Sequence, residues 1–301
     1  MNEFEYKKSE HQLERSLLQK AIRRGNQELT EKVVAYLLAV NDMAWLKKRL
    51  YVITYEECWI YGSHISLNNI LDEYKNLAVT VKNKNAAGLA ALAGDYNSGN
   101  YVPDSTMPEH QLNAIRSVAN AIKNAPAFWQ WVKKEPGYAA NKNRIEMAEK
   151  AVSKAVFEID KAMMYASAYL TVRESVPEIQ FTQPINDRNF PYWIAIDKHT
   201  DRGRVMLTEA ANRVGIDSYN GMILAFYLEG AKCNQISDSP YWDMISNWEF
   251  SHRGMTYSQA IDYWELMKPI IIDLTKDDVD KIKTRISSPP QERNEDQLSL
   301  F

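Results

Sequence analysis

The chain has 301 residues, 45% of them hydrophobic and 25% charged, the balance of a soluble globular protein with one large domain or two ordinary ones. A formal net charge of −3 excludes a global basic field, so any DNA contact has to come from local patches. Two cysteines far apart, Cys58 and Cys233, exclude a disulfide scaffold or a cysteine-rich zinc site and fit a reducing cytoplasm. The charged start MNEFEYKKSEHQLER lacks the apolar segment of a secretory signal, and no run of about 18 apolar residues predicts a membrane span.

Most of the chain reads as helix. Leu13, Leu17, Leu18 and Ala21 recur at three- and four-residue steps and share one helical face, which Gly25 can terminate. Leu29, Val33, Leu37 and Leu38 form a second stripe, and Met43, Leu46, Leu50 and Ile53 a third. The short connections favour antiparallel packing of neighbours. Residues 83–108 are rich in Asn, Gly, Ala and Ser, and a loop is expected after about residue 94. Thr106-Met107-Pro108-Glu109 has the make-up of a capping box, predicting a helix to about Asn124.

The longest periodic segment starts at Asn143, carries Ile145, Ala148, Val152, Ala155, Ile159, Met163, Ala166 and Leu170 on one stripe, and runs to Pro177. Residues 177–203 change character, punctuated by Pro177, Pro184 and Pro191, with Tyr192-Trp193-Ile194-Ala195-Ile196 as a short extended run. A domain boundary is expected there, dividing a helical domain 1–176 from a second helical domain 177–286. Helical patterns resume at about 204–214, 218–229, 240–249, 257–272 and 277–286, with Ser239-Pro240 as a helix start. Residues 287–296 contain no apolar side chain apart from prolines and cannot offset the entropy of ordering, so 287–301 is expected to be a flexible tether.

At the end of that tether hydrophobic residues return in Gln297-Leu298-Ser299-Leu300-Phe301. Apolar side chains on a polar tether suit a short linear motif that fills a partner's pocket. The five residues resemble the bacterial sliding-clamp-binding consensus, Gln-Leu-(Ser or Asp)-Leu-Phe. The resemblance makes Gln297 the polar anchor, Leu298 a secondary contact, Ser299 a permissive position, and Leu300 with Phe301 the main anchors. The alternative is a tail folded back with Phe301 as a staple. A short peptide binds modestly, so the body or avidity on a multi-site clamp must add to it.

A second resemblance lies in residues 17–59. Leu17-Leu18-Gln19-Lys20-Ala21-Ile22-Arg23-Arg24-Gly25, then Arg49-Leu50-Tyr51-Val52-Ile53 and Glu56-Glu57, resemble the helical collar that follows the ATPase module in RarA/MgsA-type, clamp-loader-related proteins. Tyr55, Glu57 and Trp59 stand where that family tends to have Ser, Asp and Gly. Asp197-x-His199-Thr200-x-x-Gly203 is similar to a short motif in the C-terminal parts of some related ATPases. The family's motor needs a Gly-x-x-x-x-Gly-Lys-Ser/Thr loop to hold phosphates, and no Gly-Lys dipeptide occurs in this sequence. The resemblance thus implies a collar without its ATPase, with self-association or a separate AAA+ ATPase subunit as partner, and no cofactor of its own.

Other chemistry is weakly signalled. Lys20, Arg23, Arg24, Lys47, Lys48 and Arg49 are candidate DNA-phosphate contacts, with solvated helix faces as the alternative. Asp197, His199 and Asp201 have spacing that could ligate a metal, though such clusters more often make turn hydrogen bonds. Tyr241, Trp242, Trp248, Phe250, Tyr257, Tyr263 and Trp264 are aromatics that could stack bases or fill a core. The sequence predicts an all-α protein, a collar-like lobe and a second helical lobe with a flexible tail. Its expected role is a non-enzymatic, cytoplasmic replication or repair factor that binds the bacterial sliding clamp. Two alternatives are an inhibitor or hijacker of the host clamp encoded by a phage, and a DNA-processing enzyme using residues 197–203.

Overall fold

The computed structural model describes residues 10–186 and 188–288, and the elements among them are helices: fourteen α-helices joined by 3₁₀ segments and one π-helical turn. No strand forms among these residues; isolated bridges pair Cys58 with Asn83, Thr80 with Phe181 and Lys82 with Ile236. The all-α class expected from helical periodicity is the class adopted.

Helix α1 (Gln12–Arg23) buries Leu17, Leu18, Ala21 and Ile22. It stops at Gly25, whose φ of 68° is left-handed, with Asn26 N–H donating to the Ala21 carbonyl and Gly25 N–H to that of Ile22. These two bonds satisfy carbonyls that the helix end would leave orphaned. Asn26 then caps α2 (Gln27–Ala39) by accepting from Leu29 N–H. The same device recurs at Asn41 (φ 61°) before α3 (Met43–Glu57), where Arg15 grips Asp42 through two bonds of 2.7 Å.

A 3₁₀ segment, Trp59–His64, leads to α4 (Ile70–Val79). Lys82 then turns back, and its ammonium donates to the carbonyls of Leu77 and Ala78 at 2.9 and 3.0 Å. A buried cation here faces the negative end of α4. Helix α5 (Asn85–Ser98) is central: its small residues Ala86, Ala87, Gly88, Ala90 and Ala93 are buried, so neighbouring helices approach closely. A Cβ on Gly88 would lie 2.3 Å from the backbone nitrogen of Trp242. The helix continues past the loop expected from about residue 94, ending at Gly99 (φ 78°), because residues 85–93 already anchor it in the core.

Helix α6 (Glu109–Lys123) begins at Glu109 behind Pro108 with no side-chain cap, so the expected Thr106 capping box does not form. The Thr106 hydroxyl is engaged locally, 2.9 Å from Asp104 Oδ1. Asn124 ends α6 and caps α7 (Ala125–Val132). The long helix expected from Asn143 to Pro177 is two helices, α8 (Lys142–Val152) and α9 (Glu158–Arg173), folded back on each other. The turn resets the helical phase, so Ile159, assigned to the buried stripe, is 44% exposed, while Asp160, Ala162 and Met164 are buried. The run Tyr192–Ile196 is not extended either: Tyr192–Ala195 is a 3₁₀ turn.

The C-terminal helices are α10 (Asp201–Val214), α11 (Ser218–Ala225), α12 (Pro240–His252), α13 (Tyr257–Leu274) and α14 (Lys276–Ser287). Pro240 stands in the first turn of α12, as expected. Two apolar clusters form. The larger unites α1–α9 with Tyr241 and Ile245 of α12 and Ile282 and Ile286 of α14. The smaller gathers Leu207, Ile223, Leu224, Trp264 and Met267 from α10, α11 and α13 around Phe250 of α12. Residues 177–286 therefore supply both clusters, and α12 joins them. No described helix is long and apolar enough to cross a membrane.

Candidate functional site

The basic residues of α1 and α3 separate into two groups. Lys20 and Arg23 are only 3% and 2% exposed. Lys20 pairs with Asp197, brought from the far side of the sequence, and also reaches Ser16 Oγ at 3.1 Å. Arg23 donates to Glu57 at 2.6 Å, to Glu56 at 2.7 Å and to the Gly230 carbonyl at 2.6 Å. Arg24 pairs with Glu229 at 2.6 Å, and Arg49 donates to Gln19 Oε1 at 2.9 Å beside Glu56. A phosphate approaching these four would have to displace carboxylates. Lys47 and Lys48 lie exposed on α3.

The arginines of α1 meet a specific acceptor. The π-helical turn Phe226–Gly230 extends α11 and brings the carbonyls of Glu229 and Gly230 to the end of α1. Arg23 and Arg24 take those of Gly230 and Glu229. Glu57 is fully buried, accepts from Gln19 at 2.8 Å, and lies 3.5 Å from the Lys84 ammonium, itself 3.8 Å over the Trp242 ring. Burial opposes ionisation of Glu56, but Arg23, Arg49 and Lys84 bring its carboxyl down to about 2. Asp160, beside the same cluster, goes the other way: burial pushes it up to about 6 against the pull of Arg49.

The Asp197-x-His199-Thr200-x-x-Gly203 segment is a turn into α10. The Asp197 carbonyl accepts from the Thr200 N–H and hydroxyl at 2.9 Å, and Asp197 Oδ1 accepts from His199 N–H at 2.9 Å. Thr200 Oγ1 caps α10 through Gly203 N–H. A Cβ on Gly203 would sit 1.8 Å from the Asp197 carbonyl oxygen, so glycine is required by close approach. The second Asp197 oxygen takes Lys20. Two segments separated by most of the chain, the one around Lys20 and the one at 197–203, are thus one contact. Among the described residues no three His, Cys, Asp or Glu side chains gather as metal ligands, and Asp197, His199 and Asp201 do not converge.

The aromatic stretch divides between the cores. Tyr241 and Phe250 are buried, Tyr257 is exposed at 56%, and Trp248 stacks on His252 at 4.6 Å. The five residues Gln297, Leu298, Ser299, Leu300 and Phe301 lie outside the described residues.

Sequence reasoning missed a groove of about 600 Å³ between α6, α7 and α9. One wall is the α6 stripe His110, Asn113, Arg116, Ser117 and Asn120. The other is Trp131 with Tyr169, Arg173 and Glu174. Trp131 and Tyr169 stack at 5.8 Å and 26°, and the Arg173 guanidinium lies 5.3 Å over Trp131. In sequence that α6 stripe is no different from any solvated helix face, so no pattern singled it out.

No protein-family model, curated protein or solved structure matches the chain. Fold and site define an all-α protein in which a buried ion network ties α1 to the segments that follow α9.

Proposed function

We propose that this chain is a non-enzymatic accessory factor of bacterial DNA replication or repair that docks on the sliding clamp through Gln297-Leu298-Ser299-Leu300-Phe301. The observation that carries the reading is the peptide itself: a polar glutamine and a Leu-Phe pair separated in sequence from α14 by residues 288–296, which hold no apolar side chain except prolines. Leu300 and Phe301 supply the desolvated anchors and Gln297 the orienting hydrogen bonds. The helical body, with its collar-like α1 and α3 and no Gly-Lys phosphate loop in the sequence, serves as an adaptor, with any ATPase supplied by a separate subunit.

The test is a titration of purified clamp with the full chain and with a chain ending at Asp296. A single hot-spot anchor at about 2 kcal/mol corresponds to a fall in affinity of roughly 30-fold, so loss of both Leu300 and Phe301 lowers affinity by at least that much. Equal affinity for the two chains refutes the reading. A polymerase processivity assay then separates assistance from obstruction of the clamp.

A further inference from the structure

We propose that the groove between α6, α7 and α9 binds single-stranded nucleic acid, with a base against the Trp131 side and phosphates on Arg116 and Arg173. This inference does not rest on clamp docking and concerns residues distant in sequence from the 297–301 peptide.

Three features of the groove converge on a nucleotide strand. The first is charge placement. Arg116 is exposed and makes no ion pair with a described carboxylate, whereas most cations of α1 and α3 are already paired. Across the groove Arg173 is 48% exposed and holds Glu135 through one nitrogen at 3.0 Å, leaving the rest of its donor fork open. The second is the aromatic face. Trp131 is half-buried and lines the groove, with its ring held by Tyr169 and Phe128 and the Arg173 guanidinium 5.3 Å over it, so the aromatic group that a base would meet is already ordered.

The third is the stripe of polar hydrogen-bonding groups. His110, Asn113, Ser117 and Asn120 fall on the groove side of α6, spanning about 15 Å at 1.5 Å per residue. A stacked strand advances about 3.4 Å along its axis per nucleotide, so the stripe covers a short run of nucleotides. Stacking on Trp131 requires an unpaired base, which selects single strands over duplex. The Glu174 carboxylate is the one acid in the lining; it is bonded to the Tyr241 hydroxyl at 3.2 Å at the α12 side. With two arginines, binding is modest and salt-sensitive.

The experiment uses the full chain and a fluorescently labelled oligothymidylate of about a dozen residues, followed by anisotropy from roughly 50 to 200 mM salt. The expected slope of log K against log salt is about −1.4, from about −0.7 for each neutralised phosphate. Arg116→Ala, on an exposed helical position, brings the slope to about −0.7 and weakens binding several-fold. Trp131→Ala weakens it by roughly ten-fold or more, and Trp131→Phe, which keeps a ring in the packed site, recovers most of that. A chain ending at Asp296 binds the oligonucleotide as well as the full chain, which separates this site from clamp docking. No binding at the lowest salt, or binding unchanged by Arg116→Ala and Arg116→Glu, overturns the proposal. So does equal competition by polyglutamate or by an equivalent duplex. Free thymidine monophosphate competing as strongly as the strand reassigns the groove to a mononucleotide and overturns the strand assignment.

Discussion

Replacing Asp197 by Asn tests whether the Lys20–Asp197 pair holds α1 to the turn before α10. The amide keeps an oxygen for the His199 N–H but removes the charge that faces Lys20. Lys20 is 3% exposed, and its other side-chain partner is the Ser16 hydroxyl at 3.1 Å, so the ammonium is left buried without a counter-ion. Breaking a buried pair on one side costs about 3–5 kcal/mol. For a chain of this size that lowers Tm by roughly 6–10 °C. The double variant Lys20→Met with Asp197→Asn removes the lone charge and returns most of the loss. Thermal unfolding by circular dichroism measures Asp197→Asn, Lys20→Met and the double variant against the wild type. A single-variant loss below about 1 kcal/mol, the cost of an exposed pair, refutes the argument. So does a double variant whose loss equals the sum of the singles. Burial favours the neutral acid, but the charges of Lys20 and His199 hold the Asp197 carboxyl below its usual value. Its stabilisation is therefore complete above the ordinary aspartate range and disappears as pH falls through the lower folded value. Wild type and Asp197→Asn converge in acid.

Two further outcomes follow from the packing and the titrating groups. Gly203→Ala forces a Cβ to 1.8 Å from the Asp197 carbonyl and should cost more than about 3 kcal/mol, whereas Gly94→Ala, with open space around it inside α5, should gain about 0.5–1 kcal/mol. Denaturant midpoints decide this, and equal effects at the two glycines would contradict the close-approach argument. Asp160 titrates at about 6 in the fold against about 3.9 unfolded, so the folded chain holds the extra proton and stability falls as pH rises from about 4 to 6. Asp160→Asn should therefore stabilise the protein by on the order of 2 kcal/mol at pH near 7.5 and by little near pH 4. A gain independent of pH would show that the carboxyl is not strained by burial.

The helical class and most helices follow from local pattern. Leu17, Leu18, Ala21 and Ile22 repeat at helical spacing, Gly25 can adopt the left-handed stop, and Pro240 fits a first turn. Each is a property of a few neighbouring residues, and the chain obeys it wherever tertiary packing agrees. The failures are equally physical. Nothing between Lys142 and Arg173 is a glycine or proline, so the turn between α8 and α9 leaves no local mark, and only their mutual packing reveals it. Thr106 fits a capping box by spacing, yet its hydroxyl bonds Asp104 instead. The run Tyr192–Ile196 has strand-like residues but no partner strand, and it coils under α1 and α14.

The 297–301 peptide rests on the sequence alone, because the chemistry proposed for it lies in consecutive residues that fall outside the described ones. The sequence also showed six cations around α1 and α3, but not their state. A cation's availability depends on which carboxylates reach it, and Asp197 and Glu229 arrive at Lys20 and Arg24 only when the distant segments close on α1. The groove is the converse. His110, Asn113 and Arg116 look like solvent-facing residues until α7 and α9 set Trp131 and Arg173 opposite them. What the sequence determines by itself is what neighbouring residues decide: helix and stop. Which charges are buried and which line a cavity is settled by contacts between segments far apart in the chain, and only the tertiary structure contains them.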